Sequence, residues 1–206
     1  MGALGDFIDL DRYPIDNLES SAGRTLIESC QAMMRERAIC ALKGFLRPVF
    51  LQAISDEVTH LESGMRRVDF PATPYGWLKN AGFSKTHPRS RVFDRRCGVL
   101  TRDQLDPEGL CVRLFQFPEL TEFVRQLLGY EQLFNSACPN ISVRLNIMEP
   151  GDEFGWHYDT NDGAVSLVLQ SAEEGGDFEY APLIRNEADE NYDRVGAIFR
   201  ERKLLM

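Results

Sequence analysis

Trp156-His157-Tyr158-Asp159 is the stretch on which the reading of this chain turns. It sets an imidazole and a carboxylate two residues apart, shortly after a Pro150-Gly151 turn. Side chains at i and i+2 of extended backbone leave on the same side, so His157 and Asp159 can reach one metal ion together. By itself the pattern His-x-Asp is weak. Three residues with a free middle position occur by chance in many proteins and serve equally well as a plain turn. The flanking sequence decides what this copy means.

Upstream, Ile141-Ser142-Val143-Arg144-Leu145-Asn146-Ile147-Met148 alternates for most of its length, which predicts a strand with two unlike faces. One face carries Ile141, Val143, Leu145 and Ile147; the other presents Ser142, Arg144, Asn146 and Met148. Downstream, Val165 to Leu169 reads as a buried strand, and Gly175-Gly176 leads into another at Asp177 to Tyr180. Between them, Thr160, Asn161 and Asp162 either line a pocket mouth or form a polar turn.

The first third reads as helix, strand, helix. Ser20 and Ser21 are placed to cap a helix whose apolar stripe is Leu26, Ile27, Cys30, Met33 and Met34. Ile39 to Leu42, bounded by Gly44, reads as a short strand. Pro48 then opens a helix with Val49, Phe50, Ala53, Ile54, Val58 and Leu61 on one face and Gly64 as its stop. From Met65 to Thr101 the pattern breaks up. Pro71, Pro74, Gly76, Gly82 and Pro88 punctuate a stretch that also holds Trp77, His87, Arg89 and Arg91, and it reads as one long irregular segment. Pro118 opens a further helix through Leu120, Phe123, Val124, Leu127 and Leu128, closed by Gly129.

Composition narrows the classes. With 43% hydrophobic and 27% charged residues among 206, the chain is too apolar for a disordered protein and long enough for one domain with a sizeable core. The net charge of -9 disfavours long-range attraction of a polyanion, so nucleic acid is not an expected partner. Cys30, Cys40, Cys97, Cys111 and Cys138 form no Cys-x-x-Cys pair, and an odd number cannot all pair within one chain; a reducing cytoplasm fits best. The acidic start MGALGDFIDLDRYP has no basic region followed by an apolar one, and no apolar run approaches membrane-spanning length.

Taken in order, these parts are a strand carrying Arg144 and Asn146, a Pro-Gly turn, Gly155-Trp156 before His157-Tyr158-Asp159, an apolar strand, and Gly175-Gly176-Asp177-Phe178. In that order the chain resembles the Fe(II)/2-oxoglutarate-dependent oxygenase superfamily, and within it the branch of free amino-acid halogenases and hydroxylases. Arg12-Tyr13-Pro14-Ile15 and Gly44-Phe45-Leu46 are similar to that branch as well. The resemblance covers the chain from about residue 12 onward. It implies an α+β fold, a double-stranded β-helix (jelly roll, cupin-like) with N-terminal helices packed on it. It also implies a single domain over 1-206, cytoplasmic, with Fe(II) as cofactor and 2-oxoglutarate as cosubstrate.

The activity implied is oxidative attack on an unactivated carbon of a free amino acid or similar small polar molecule. His157 and Asp159 match two of the three metal ligands and are the catalytic pair. In halogenating members a glycine stands where the carboxylate would be, leaving room for chloride; Asp159 fills that position here, so hydroxylation is the expected outcome. Arg144 and Asn146 are candidates for the 2-oxoglutarate carboxylate or a polar group of the substrate. Arg89 and Arg91 are candidates for a bidentate grip on an amino acid's carboxylate, with a solvated basic loop as the plainer account.

The chain departs from the family at one point. A second histidine and a following arginine or lysine are implied on late strands, and no histidine follows His157. His60 falls within the second helix and His87 precedes Pro88, both upstream. The expectation is therefore a domain without its C-terminal strands, whose neighbours keep unpaired edges and a partly uncovered apolar face. The alternative is a catalytically inactive β-helix protein that binds a small ligand or another chain, or a truncated paralogue.

Overall fold

The computed structural model describes residues 2–76, 80–159, 163–186 and 188–201. Among them are six α-helices and one three-stranded sheet, an α+β protein. The chain forms two compact units. The first comprises Met1–Met65 and Leu100–Leu145, the second Arg66–Val99 and Asn146–Met206.

The first unit is helical, and its helices begin and end where the sequence places caps. After α1 (Leu4–Phe7), α2 spans Ser21–Arg37, with Ser20 as N-cap: its Oγ accepts the Gly23 N–H at 3.0 Å. Gly23, Ile27 and Cys30, spaced by four and three residues, form the buried stripe. Helix α3 (Pro48–Leu61) starts on proline, whose missing N–H costs nothing in the first turn, and buries Phe50 and Ile54. Helix α5 (Pro118–Leu128) likewise starts on proline and ends at Gly129, in the left-handed conformation at φ 70°.

A fourth helix, α4 (Leu110–Gln116), carries no sequence cap at Gly109. Its first amides are satisfied from α3 instead: Glu57 accepts the Leu110 N–H at 2.6 Å and the Cys111 N–H at 3.4 Å. The core gathers around Phe7, whose ring lies 4.2 Å from Phe50 and 4.9 Å edge-on to Phe117. Burying such a ring contributes about 2 to 3 kcal/mol.

The strand expected at Ile39 to Leu42 is absent. The residues after α2 run irregularly from Ala38, which takes a left-handed conformation at φ 55°. The extended pairing comes later and is a single bridge, Ile8 with Leu46. A four-residue apolar run with no neighbouring strand gains no ladder hydrogen bonds, so tertiary packing overrides its propensity.

The second unit holds most of the sheet. β1 (Arg66–Ala72) pairs antiparallel with β2 (Phe93–Thr101) in a register from Arg66 opposite Val99 to Ala72 opposite Phe93. β3 (Arg144–Ile147) completes the order β1-β2-β3. The stretch expected to be irregular from Met65 to Thr101 is therefore strand at both ends. Pro71 misleads there: it sits within β1, where an edge strand tolerates the missing donor. Helix α6 (Tyr192–Glu201) buries Val195 and Phe199, and Phe199 meets Phe93 edge-on at 5.0 Å.

The strands expected at Val165 to Leu169 and Asp177 to Tyr180 do not form. Val165 is 63% exposed, Val168 71% and Phe178 75%. No strand of the described sheet runs beside them, and extended backbone without a partner has no ladder to hold it. Among the described residues no helix is long and apolar enough to cross a membrane.

A tight turn at Glu149–Asp152 leads from β3 toward the His-x-Asp stretch. The Glu149 N–H donates to the Asp152 carboxylate at 2.9 Å, and Arg67 of β1 grips both of that carboxylate's oxygens at 2.9 and 2.6 Å. The Arg67 guanidinium first, and the Glu149 amide second, hold the Asp152 carboxyl below its ordinary 3.8. A carboxyl whose folded value is depressed contributes stability that is complete above the unfolded value and lost as pH falls through the folded one. Asp152→Asn is therefore expected to lose less stability than the parent between pH 5 and pH 2, measured as urea midpoints at each pH. A parent and variant that decline in parallel refute the linkage.

Candidate functional site

The His-x-Asp turn hangs from β2 through a short backbone pairing. The Arg96 N–H donates to the Glu153 carbonyl at 2.7 Å, and the Gly155 N–H donates to the Asp94 carbonyl at 3.0 Å, with Arg95 and Phe154 bridged between them. Gly155 is there because nothing larger fits: a Cβ would lie 2.5 Å from the Phe93 Cβ and 2.8 Å from the Asp94 carbonyl oxygen. This close approach delivers the next residues to their positions.

His157 and Asp159 do project together. Nε2 of His157 lies 3.5 Å from Oδ1 of Asp159, and their side chains are 30% and 57% exposed. His157 Nδ1 lies 2.9 Å from the Gly155 carbonyl oxygen. A carbonyl only accepts, so the ring donates through Nδ1 there, and Nε2 is the nitrogen turned toward the carboxylate. A backbone oxygen behind the ring is the kind of partner that orients a metal-ligating imidazole. Two donors on adjacent positions of one ion, each at about 2.1 Å, lie about 3 Å apart, so the observed spacing suits a shared cation with a small closure. The Phe154 ring packs edge-on against the imidazole at 4.7 Å and itself lies under the Arg95 guanidinium at 4.5 Å.

Beside His157 is a cleft of about 10 Å³, lined by Thr73, Phe93, Asp94, Arg95 and Trp156 among others. That is room for a single water. The Trp156 indole N–H is buried and has no hydrogen-bond partner among the described residues, so it is a donor whose acceptor those residues do not supply. Among the described residues no group of three or more His, Cys, Asp and Glu side chains is gathered as a metal site. Among the described residues the candidate donor set is the pair.

The other candidate residues are placed elsewhere. Arg144 and Asn146 share the exposed face of β3, as the alternation predicts, and neither lines the cleft beside His157. Arg89 donates through Nε to the Asn80 side chain at 3.2 Å and lies 4.5 Å over Phe83. Arg91 reaches the Phe199 carbonyl at 3.5 Å and lies 5.8 Å from the Phe93 ring centre. The two guanidiniums thus turn to different partners and do not form a joint clamp. Of the upstream histidines, His60 is exposed on α3, while His87 packs against Phe83 at 4.3 Å and Tyr192 at 4.5 Å. Trp77, Thr160, Asn161 and Asp162 lie outside the described residues.

Sequence reasoning passed over the surroundings of Tyr158. Tyr75 is wholly buried, 4.9 Å from the Tyr158 ring, and Arg185 lies 3.9 Å over the other residue of that pair, Tyr158. Burial above all pushes both phenols up from their ordinary value. Tyr75 lies amid Pro71, Pro74 and Gly76, where only a loop is legible, and nothing in the local pattern ties it to a residue eighty positions on. No family model, curated protein or solved structure matches the chain.

Proposed function

We propose that this chain is a 2-oxoglutarate-dependent oxygenase of the hydroxylating kind, in which His157 and Asp159 hold Fe(II). The observation that carries the reading is the imidazole–carboxylate pair at 3.5 Å with the imidazole held through Nδ1 by the Gly155 carbonyl. With 2-oxoglutarate and oxygen bound, the metal would supply oxidative attack on an unactivated carbon. The residues here would hold the ion on one side, present Nε2, and offer the Trp156 N–H to an incoming oxygen or carboxylate. Asp159 leaves no vacancy for a halide, which favours hydroxylation. Arg144 and Asn146 are our candidates for the cosubstrate, and Arg89 and Arg91 for the carboxylate of a free amino acid; both arginines would have to release their present partners.

The finer fold we propose is a double-stranded β-helix with helices against it. The exposed apolar side chains of Val165, Val168 and Phe178 support that reading, because they are where the sequence pattern calls for strands with a covered face. One observation favours a second reading, a binding protein without catalysis: among the described residues only two ligands converge.

The two readings separate in one experiment. Anaerobic addition of Fe(II) and 2-oxoglutarate to the folded protein is expected to raise the visible charge-transfer band of the chelate. Asp159→Ala is expected to abolish it. If no band appears at high iron and 2-oxoglutarate, the oxygenase reading falls and the binding protein stands.

A further inference from the structure

The middle residue of the His-x-Asp turn is held from three sides. The Tyr158 N–H donates to the Pro74 carbonyl at 3.1 Å. The Tyr75 ring lies against the Tyr158 ring at 4.9 Å, inclined by 50°. The Arg185 guanidinium lies 3.9 Å from the Tyr158 ring centre and is itself paired with Glu190 at 3.4 Å. Tyr75 in turn meets Tyr192, the first residue of α6, at 6.1 Å. Two separate segments, at Pro74–Tyr75 and at Arg185, thus converge on the residue that lies between the two candidate ligands.

His157 and Asp159 meet at 3.5 Å while the Tyr158 ring lies among Tyr75 and Arg185, so the middle side chain has partners its two neighbours do not share. Holding that ring limits how the backbone on either side can turn, and with it the directions from which the two outer side chains start. We propose that Tyr158 is a positioning residue. Held between Tyr75 and Arg185, it sets the rotation of the turn so that His157 Nε2 and Asp159 Oδ1 keep one bite on a cation. The inference rests on the metal-binding reading above for its purpose, and on packing alone for its geometry. It differs from ordinary core packing in what it moves. A tyrosine that merely filled space could be lost with a fall in stability and no change in the imidazole two atoms beyond the peptide bond.

The chain has only three histidines, so each imidazole can be followed in carbon–proton correlation spectra of the whole protein. Tyr158→Leu is expected to move the His157 signals toward those of a free side chain while His60, on α3, stays in place. Co(II) taken up as a spectroscopic stand-in for Fe(II) should bind about 10- to 100-fold more weakly, the range seen when a residue behind a metal ligand is removed. Tyr158→Phe, which keeps the ring between its partners, is expected to restore both readouts. Arg185→Gln is expected to shift His157 in the same direction by a smaller amount. If the signals of His87, which lies in the same unit as Tyr158, also collapse to those of a free side chain in Tyr158→Leu, that unit has lost its fold, and Arg185→Gln decides. Unchanged His157 signals in a folded Tyr158→Leu or in Arg185→Gln overturn the proposal. Equal Co(II) uptake by the parent protein and Asp159→Ala overturns the metal reading instead, with the His157 signals still judging the positioning.

Discussion

Gly23→Ala is expected to lower the melting temperature by about 4 to 8 °C, which for a chain of this size corresponds to about 2 kcal/mol. The methyl group would sit 2.3 Å from the Asn17 carbonyl oxygen, 2.5 Å from the Leu18 Cα and 2.7 Å from its carbonyl carbon. All three are backbone atoms, so no side-chain rotation relieves the contact. The turn before α2 must move away, and the Ser20 hydroxyl that caps the Gly23 N–H at 3.0 Å is part of that turn. Overpacking of this kind costs about 3 kcal/mol, and alanine's better helix propensity returns about 1. Gly64→Ala is the control. A Cβ at Gly64 meets nothing within 4 Å, so its midpoint should stay level or rise slightly. Thermal unfolding of both variants tests the pair, and a Gly23→Ala protein as stable as the parent would show that the turn yields freely.

Gly23 also shows where local sequence reading stops. The helices over Ser21–Arg37, Pro48–Leu61 and Pro118–Leu128 were legible because each declares itself within a few residues: a serine or proline at the start, apolar residues three and four apart, a glycine or a basic turn at the end. That Gly23 must be glycine was not legible, because the reason is how the backbone at Asn17 and Leu18 folds against the first turn of α2. Helix α4 is hidden by a longer-range cause, since its cap is Glu57, more than fifty residues earlier.

The sheet obeys the same division. Arg144–Ile147 shows its two faces in the sequence because one face is exposed and the other is not. β2 does not, since from Cys97 to Thr101 every residue is buried and the period of two vanishes. β1 fails in the opposite way: Val68, Phe70 and Ala72 do alternate with Arg67, Asp69 and Pro71, but the run is exposed on most of its length and Pro71 within it reads as a breaker. The runs at Val165 to Leu169 and Asp177 to Tyr180 have strand composition without a partner strand among the described residues. Composition supplies propensity, and only a neighbour supplies the ladder.

For the site, the pairing of His157 with Asp159 was legible from the two-residue spacing, because extended backbone alone brings those side chains to one side. What holds them was not. The Gly155 carbonyl behind the imidazole, the Tyr75 ring and the Arg185 guanidinium around Tyr158 are set by tertiary contacts. Arg89 and Arg91 share the same two-residue spacing and do not act together, because a buried-side partner for each, Asn80 and the Phe199 carbonyl, lies in a different direction.

Gly155→Ala should therefore do more to the site than any change of a residue that reaches into it from outside. The added methyl would stand 2.5 Å from the Phe93 Cβ and 2.8 Å from the Asp94 carbonyl oxygen, the very group that accepts the Gly155 N–H. Relief requires the strand segment to withdraw from β2, which breaks that bond and the one from the Arg96 N–H to Glu153. Two backbone hydrogen bonds and the clash together amount to about 3 kcal/mol. The pairing is a single bridge beyond the named strands, so it can open without unfolding the unit, and the loss should appear locally. The Arg96 amide is then expected to exchange about 100-fold faster in hydrogen-exchange measurements. His157 is carried on the segment that withdraws, so its imidazole signals should shift from those of the parent. An Arg96 amide as protected as in the parent, with His157 signals unmoved, would mean that β2 gives way and the turn does not depend on this glycine.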